Sequence, residues 1–261
     1  MGSVTYRDGI AILQLIIFPI ILVAALFIWN RTGWRAGSKI WRYGVTLSLI
    51  RIAGSISSLI SIDHNSYNVE VAIAVCELIG IAPLLLTYVG VLRQIDASQH
   101  LPPRFLNLVT LVCFIGLILG IAGVSTADDS NDGTYHPDKI VKVSMGLFLA
   151  VFVVTIATAA WLWFQLSLSL RTFQRKLFLA VALSVPFLIV RLVYSAISDY
   201  GDNSKFAVLV GDPTVYLCMS VLEEIVAMTI TMALGMSAVL ERDFVPYAPP
   251  KEQSAPEVGQ V

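Results

Sequence analysis

The sequence predicts an all-α polytopic membrane protein, a bundle of seven transmembrane helices. Three observations predict it. The chain has 261 residues, 57% of them hydrophobic and only 13% charged, whereas a soluble domain carries about 25% charged residues. Its mean hydropathy is +0.79. Seven apolar runs, each long enough to cross the hydrocarbon of a bilayer, succeed one another with short polar connections. The net charge of −1 gives no reason to expect a nucleic-acid partner.

The runs lie at about 8–30, 43–61, 70–92, 105–124, 141–165, 177–198 and 214–240. The first is not a cleavable signal peptide: it lacks a basic leading segment, its apolar stretch is too long, and no small-residue cleavage site comes after it. Pro19, Pro83 and Pro186 fall inside runs and are expected to kink their helices and open a cavity. The last run, TVYLCMSVLEEIVAMTITMALGMSAVL, has two adjacent carboxylates near its middle, Glu223 and Glu224. After Arg242 the chain turns Pro-rich and polar, which divides it into a transmembrane domain, 1–242, and a tail, 243–261, read as disordered.

The connections alternate in character. Segments 31–42, 93–104 and 166–176 carry nine basic residues: Arg31, Arg35, Lys39, Arg42, Arg93, Arg104, Arg171, Arg175 and Lys176. Segments 62–69, 125–140 and 199–213 carry eight aspartates against Lys139 and Lys205. The positive-inside rule places the basic set in the cytosol. The N-terminus is then outside or lumenal and the C-terminus cytosolic, in the endoplasmic reticulum or the plasma membrane. Trp29, Trp34, Trp41, Trp161 and Trp163 cluster toward the cytosolic side, where an aromatic belt belongs. The sequon Asn30-Arg31-Thr32 falls on that side and should go unused.

Ionisable groups inside four of the runs mark the candidate site. These are Arg51, Glu77, Arg191, and the pair Glu223 and Glu224. Such a group costs about 2.5–3.5 kcal/mol to place mid-membrane, so it faces the protein interior and has a task. At 1.5 Å per residue all of them sit roughly 10–15 Å below the outer surface. Opposite charges at one depth in hydrocarbon are expected to meet. Arg51, Ser55 and Ser58 repeat the spacing of Arg191, Ser195 and Ser198, one helix face each. VCELI around Glu77 resembles VLEEI around Glu223 and Glu224. Spans 1–3 and 5–7 therefore suggest a 3+1+3 arrangement of parallel repeats, as in sugar-facilitator-like folds. Gln14 in the first span joins the same layer. Two readings stand side by side. Two Arg–Glu pairs lock the helices together, with serines bonding across the interface; or one carboxyl, left over from three facing two arginines, is a protonated acid available for chemistry or proton coupling.

Other polar residues say less. Cys76, Cys113 and Cys218 lie in apolar runs without ligand spacing and read as buried hydrophobes. His64, His100 and His136 are in connections and show no metal-binding spacing, so neither a metal nor a cofactor is expected. Asp128, Asp129, Asp132 and Asp138 read as a solvated acidic loop.

The segments YRDGIAILQLIIF, RYGVTLSLIRIAGS, ELIGIAPLLL and LEEIVAM resemble an uncharacterised family of fungal seven-span integral membrane proteins, over nearly all of residues 4–242. In size, span count and intramembrane acids the chain is also similar to membrane-bound terpene cyclases of fungal meroterpenoid gene clusters. No motif matches those residue by residue, so that likeness is one of architecture. It implies an enzyme of secondary metabolite biosynthesis that acts on a lipophilic small molecule in the bilayer. Glu223 or Glu224, with Glu77, would protonate an epoxide on a prenyl chain. An apolar cavity would fold the chain and exclude water. Tyr88, Tyr194 and Tyr216 would stabilise the cation through their π-faces. Arg51, Arg191, Ser55, Ser195 and Gln14 would form the surrounding layer. The rival readings are a small-molecule transporter or facilitator, resting on the repeat and the mid-membrane polar layer, and then a seven-helix receptor. Against the receptor, span 3 ends in GVLRQ without a DRY-like sequence and span 7 has no NPxxY. The oligomeric state is not readable.

Overall fold

A computed structural model describes residues 6–61, 76, 79–97, 100–125, 139–167, 169–200 and 212–247. Among them the structure is helical, with no strand. Eight helices occur in order: α1 (Tyr6–Thr32), α2 (Trp34–Ile40), α3 (Arg42–Ile60), α4 (Ile81–Ile95), α5 (Pro103–Ser125), α6 (Lys139–Leu166), α7 (Thr172–Tyr200) and α8 (Pro213–Val239). Six of these are long and apolar enough to cross a membrane: α1, α3, α5, α6, α7 and α8. They fit an integral membrane protein. Inside hydrocarbon a helix satisfies its own backbone, which is why the described residues of these runs are helical.

The helices are apolar all round, and burial separates their faces. In α1 the buried positions Gln14, Phe18, Ile21, Ala25 and Ile28 recur every three or four residues, while Ile12, Ile16, Ile20 and Val23 point outward and are exposed. An apolar outer face of this kind suits lipid.

Residue pairings show antiparallel neighbours. On α5 and α6, Ser144 donates to Gly116 O at 2.6 Å, and a Cβ on Gly123 would meet Val141. On α7 and α8, Lys176 bonds Ser237 while Ser184 lies against Ala227 and Thr231. On α1 and α3, Gln14 meets Ser55. The long helices follow one another around the bundle, α8 closing against α1 and α4 bridging α3 and α5.

The helix α4 fills the middle. All of its residues are buried, and it packs on α2, α3, α5, α6 and α7. Its 15 residues span about 22 Å, less than a bilayer core. Of the expected third span, 70–92, α4 takes the part from Ile81 onward; Cys76 and Ile79 are also helical, and residues 70–75, 77 and 78 lie outside the described residues. Pro83 explains the break. It lacks an N–H and its ring clashes with the carbonyl four residues back, at Ile79. A turn at Gly80 precedes α4, and Pro83 sits in the first turn rather than kinking a helix interior; Pro19 and Pro186 lie inside α1 and α7.

Further differences from the sequence reading are structural. Residues 34–40, expected as connection, form the short helix α2; its carbonyl at Ile40 approaches so closely that a Cβ on Gly90 would lie 2.6 Å away. Trp41 is not part of a belt. It is fully buried against Gly235, while Trp34, Trp161 and Trp163 are exposed. Of the cysteines, Cys113 is buried but Cys218 is exposed on the outside of α8. Arg93, counted with a connection, ends α4 buried, donating to Leu106 O at 2.9 Å and Thr110 Oγ1 at 2.7 Å. Beyond α8 the chain stays in contact: Phe244 packs edge-on against Phe173 and Gln94 Nε2 donates to Val245 O at 2.7 Å. The rest of the tail, 248–261, lies outside the described residues.

Candidate functional site

Glu224 is the hub. It lies on the buried face of α8, where it meets Arg51 from α3 and Arg191 from α7. Arg51 Nε donates to Glu224 Oε1 at 2.6 Å and Arg51 Nη2 donates to Oε2, a two-pronged guanidinium–carboxylate pair. Both partners are at most 3% exposed. Gly80 leaves room for this. A Cβ there would stand 2.6 Å from Arg51 Nη2.

Arg191 is held less closely. Its Nε is 3.8 Å from Glu224 Oε2 and makes no hydrogen bond, while Nη1 donates to Ser195 Oγ one turn along α7. On the other side, Ser55 Oγ lies 2.8 Å from Arg51 O and 3.0 Å from Gln14 Oε1, which brings α3 against α1. Gln14 Nε2 is buried without a partner among the described residues. The layer thus joins α1, α3, α7 and α8.

The backbone of α8 departs from α-helix at this level. Leu217–Val221 is a π-helical turn that ends two residues before Glu223. An inserted residue rotates the turns before it by about 100° relative to the turns after it, and such segments recur at functional sites. Here it accompanies Tyr216 and Ser220 facing inward, with the Tyr216 ring 6.5 Å from that of Tyr194 on α7. Ser220 Oγ is buried and has no partner among the described residues.

Glu223 occupies a different place. It is half-buried, and its Oε2 is shut away without a hydrogen bond among the described residues. Glu223, Ile230 and Ser237 lie seven residues apart, on one line of α8. Ser237 Oγ accepts a hydrogen bond from Lys176 Nζ of α7 at 2.7 Å, so this line runs along the edge where α8 meets α7. Leu222 beside it is exposed. Glu223 is therefore half-buried on the side of α8 turned toward α7.

Two more polar layers lie around α4. Tyr88 of α4 is 3.0 Å from Thr231 Oγ1 and 3.3 Å from Ala227 O, with Ser184 of α7 beside them. At the basic end, Gln174 Nε2 donates to Ile95 O at 2.8 Å and Gln94 bonds Val245 and Tyr247.

Of the residues expected to share one layer, Gln14, Arg51, Ser55, Glu224, Arg191 and Ser195 come together, and Tyr194 stands next to them. The two arginines converge on Glu224 instead of taking separate glutamates among the described residues. Glu77 lies outside the described residues. Tyr88 belongs to the next layer down. Sequence reasoning missed Ser220 and Gly80. The spacing of Ser220 and Glu224, one turn apart, is a signal for the first; nothing in the sequence marks the second. Among the described residues no group of three or more His, Cys, Asp or Glu side chains is placed to hold a metal ion.

A family model described as Domain of unknown function (DUF7702) matches residues 4–241. No curated protein and no solved structure matches the chain.

Proposed function

The chain belongs to the DUF7702 family, and from its site we propose a membrane-embedded enzyme that cyclises an epoxidised prenyl chain by acid catalysis, with Glu223 as the acid. One observation carries the assignment: of the two adjacent glutamates, only Glu223 has a buried carboxyl oxygen without a partner among the described residues. Both oxygens of Glu224 accept from Arg51, so neither is placed to donate a proton. Initiation requires a donor within reach of the epoxide oxygen. Glu223 stands half-buried on the side of α8 turned toward α7, where a lipophilic substrate arrives without leaving the bilayer.

In this mechanism Glu223 gives its proton to the epoxide oxygen as the carbon–oxygen bond opens. A double bond of the prenyl chain attacks the developing cation and closes the ring. The rings of Tyr194 and Tyr216 supply π-faces one to two turns away. Loss of a proton from the cyclised cation, returned to Glu223, completes an isomerisation that needs no other reactant. Arg51 and Glu224 hold α3 against α8 and fix the position of Glu223. In the cell, the basic end would face the cytosol and the site would lie nearer the lumenal or outer surface.

The test incubates membranes containing the protein with an epoxidised prenylated phenol. A product of unchanged mass and new retention time is expected. Glu223→Gln should remove it at least about 100-fold while protein still accumulates in the membrane. No isomer across several epoxides would refute the proposal. The polar file along α4, α7 and α8 favours a second reading, a transporter: flux across vesicles with the substrate chemically unchanged would establish that one instead.

A further inference from the structure

We propose that Arg191 binds the anionic head of a membrane-soluble carboxylate, an acidic oxygen group carried on an apolar chain. The inference rests on the reading that this site takes a lipophilic small molecule, and it names that molecule's class.

Arg191 is a buried cation that shares one carboxylate, Glu224, with Arg51. It is 4% exposed. The strong bonds of Glu224 go to Arg51, and Arg191 Nε stands off at 3.8 Å without a hydrogen bond. Its one hydrogen bond among the described residues goes to the neutral hydroxyl of Ser195. A guanidinium is a planar fork of donors, best satisfied by two oxygens of one acid. A buried charge left short of acceptors is costly, so its retention here points to an occupant.

A second group points to the same place. Ser220 Oγ is buried at 1% exposure with no partner among the described residues. It lies one turn before Glu224, on the π-helical segment that packs against α7. Together with Arg191 it offers a hydroxyl and a guanidinium from the two walls of one seam. The rings of Tyr194 and Tyr216 stand at the same level and give apolar surface. Arg191 is nine residues before the end of α7 at Tyr200, about 13 Å along the helix. That depth suits the head of a free lipophilic acid better than a phospholipid head group anchored at the surface. An acid bound there places its tail along the exposed α7–α8 edge, beside Glu223.

The test uses the full chain in neutral phosphatidylcholine nanodiscs, with palmitate and methyl palmitate as probes and tyrosine or tryptophan fluorescence as the readout. Palmitate should bind at least about tenfold more tightly than its ester. Arg191→Gln should abolish the difference, Arg191→Lys should keep part of it, and Ser220→Ala should weaken palmitate severalfold. Should Arg191→Gln fail to accumulate, the acid–ester comparison and Ser220→Ala decide. Equal binding of acid and ester, or palmitate binding unchanged in both variants, would overturn the proposal. So would displacement of palmitate by phosphatidylserine, which would assign the site to membrane phospholipid. The outcomes separate from those of the enzyme: acid-selective binding without isomerisation of any epoxide removes the cyclase and leaves this site, and isomerisation without acid selectivity does the reverse.

Discussion

Changing Glu224 to glutamine removes one charge and almost no volume. It leaves two guanidiniums, Arg51 and Arg191, facing a neutral amide in a site that is 1% exposed. Breaking a buried ion pair by removing one member costs about 3–5 kcal/mol, because the remaining charge stays buried. Here two like charges stay, so the upper half of that range is expected. The complementary change, Arg51→Met, leaves one carboxylate and one guanidinium. Arg191 Nε is only 3.8 Å from Glu224 Oε2, and a small shift closes that gap. Its cost should fall at or below the lower end, about 2–3 kcal/mol. The order is therefore Glu224→Gln worse than Arg51→Met. Equilibrium unfolding in mixed micelles, monitored by circular dichroism, reads both differences. The reasoning fails if Glu224→Gln unfolds within about 1 kcal/mol of wild type, or if Arg51→Met is the more damaging change.

Three smaller predictions test other parts of the bundle. Gly90→Ala should destabilise by about 1–3 kcal/mol, since the new Cβ meets the Ile40 carbonyl at 2.6 Å and backbone cannot rotate away; an unchanged unfolding curve would mean that α2 does not pack on α4 this closely. Tyr88→Phe should cost only about 1 kcal/mol, because Thr231 Oγ1 still donates to Ala227 O at 2.8 Å after the hydroxyl is lost. Gln94→Ala should release residues 243–247, seen as faster hydrogen exchange and new protease cleavage there, with the helices still protected.

How much of this was readable from the chain depends on range. The membrane class, the helical content and six of the long helices came from runs of apolar residues. Hydrocarbon allows a single isolated chain segment little besides helix, so local composition is enough. The layer of Gln14, Arg51, Ser55, Glu224, Arg191 and Ser195 was also legible, because residues per turn convert chain position into depth and charges at one depth in lipid must meet. Partner choice within the layer was not. Arg51 takes Glu224 across 173 residues of sequence, and only the closure of α8 against its neighbours in the bundle decides that. The distinct fates of Glu223 and Glu224 were equally hidden. Adjacent residues on a helix differ by about 100° in direction, so one faces two arginines and the other is half-buried toward α7, and the sequence alone does not say which. The central place of α4 also belongs to the tertiary structure. Its composition is that of any apolar helix, and its burial on every side comes from the five helices packed around it.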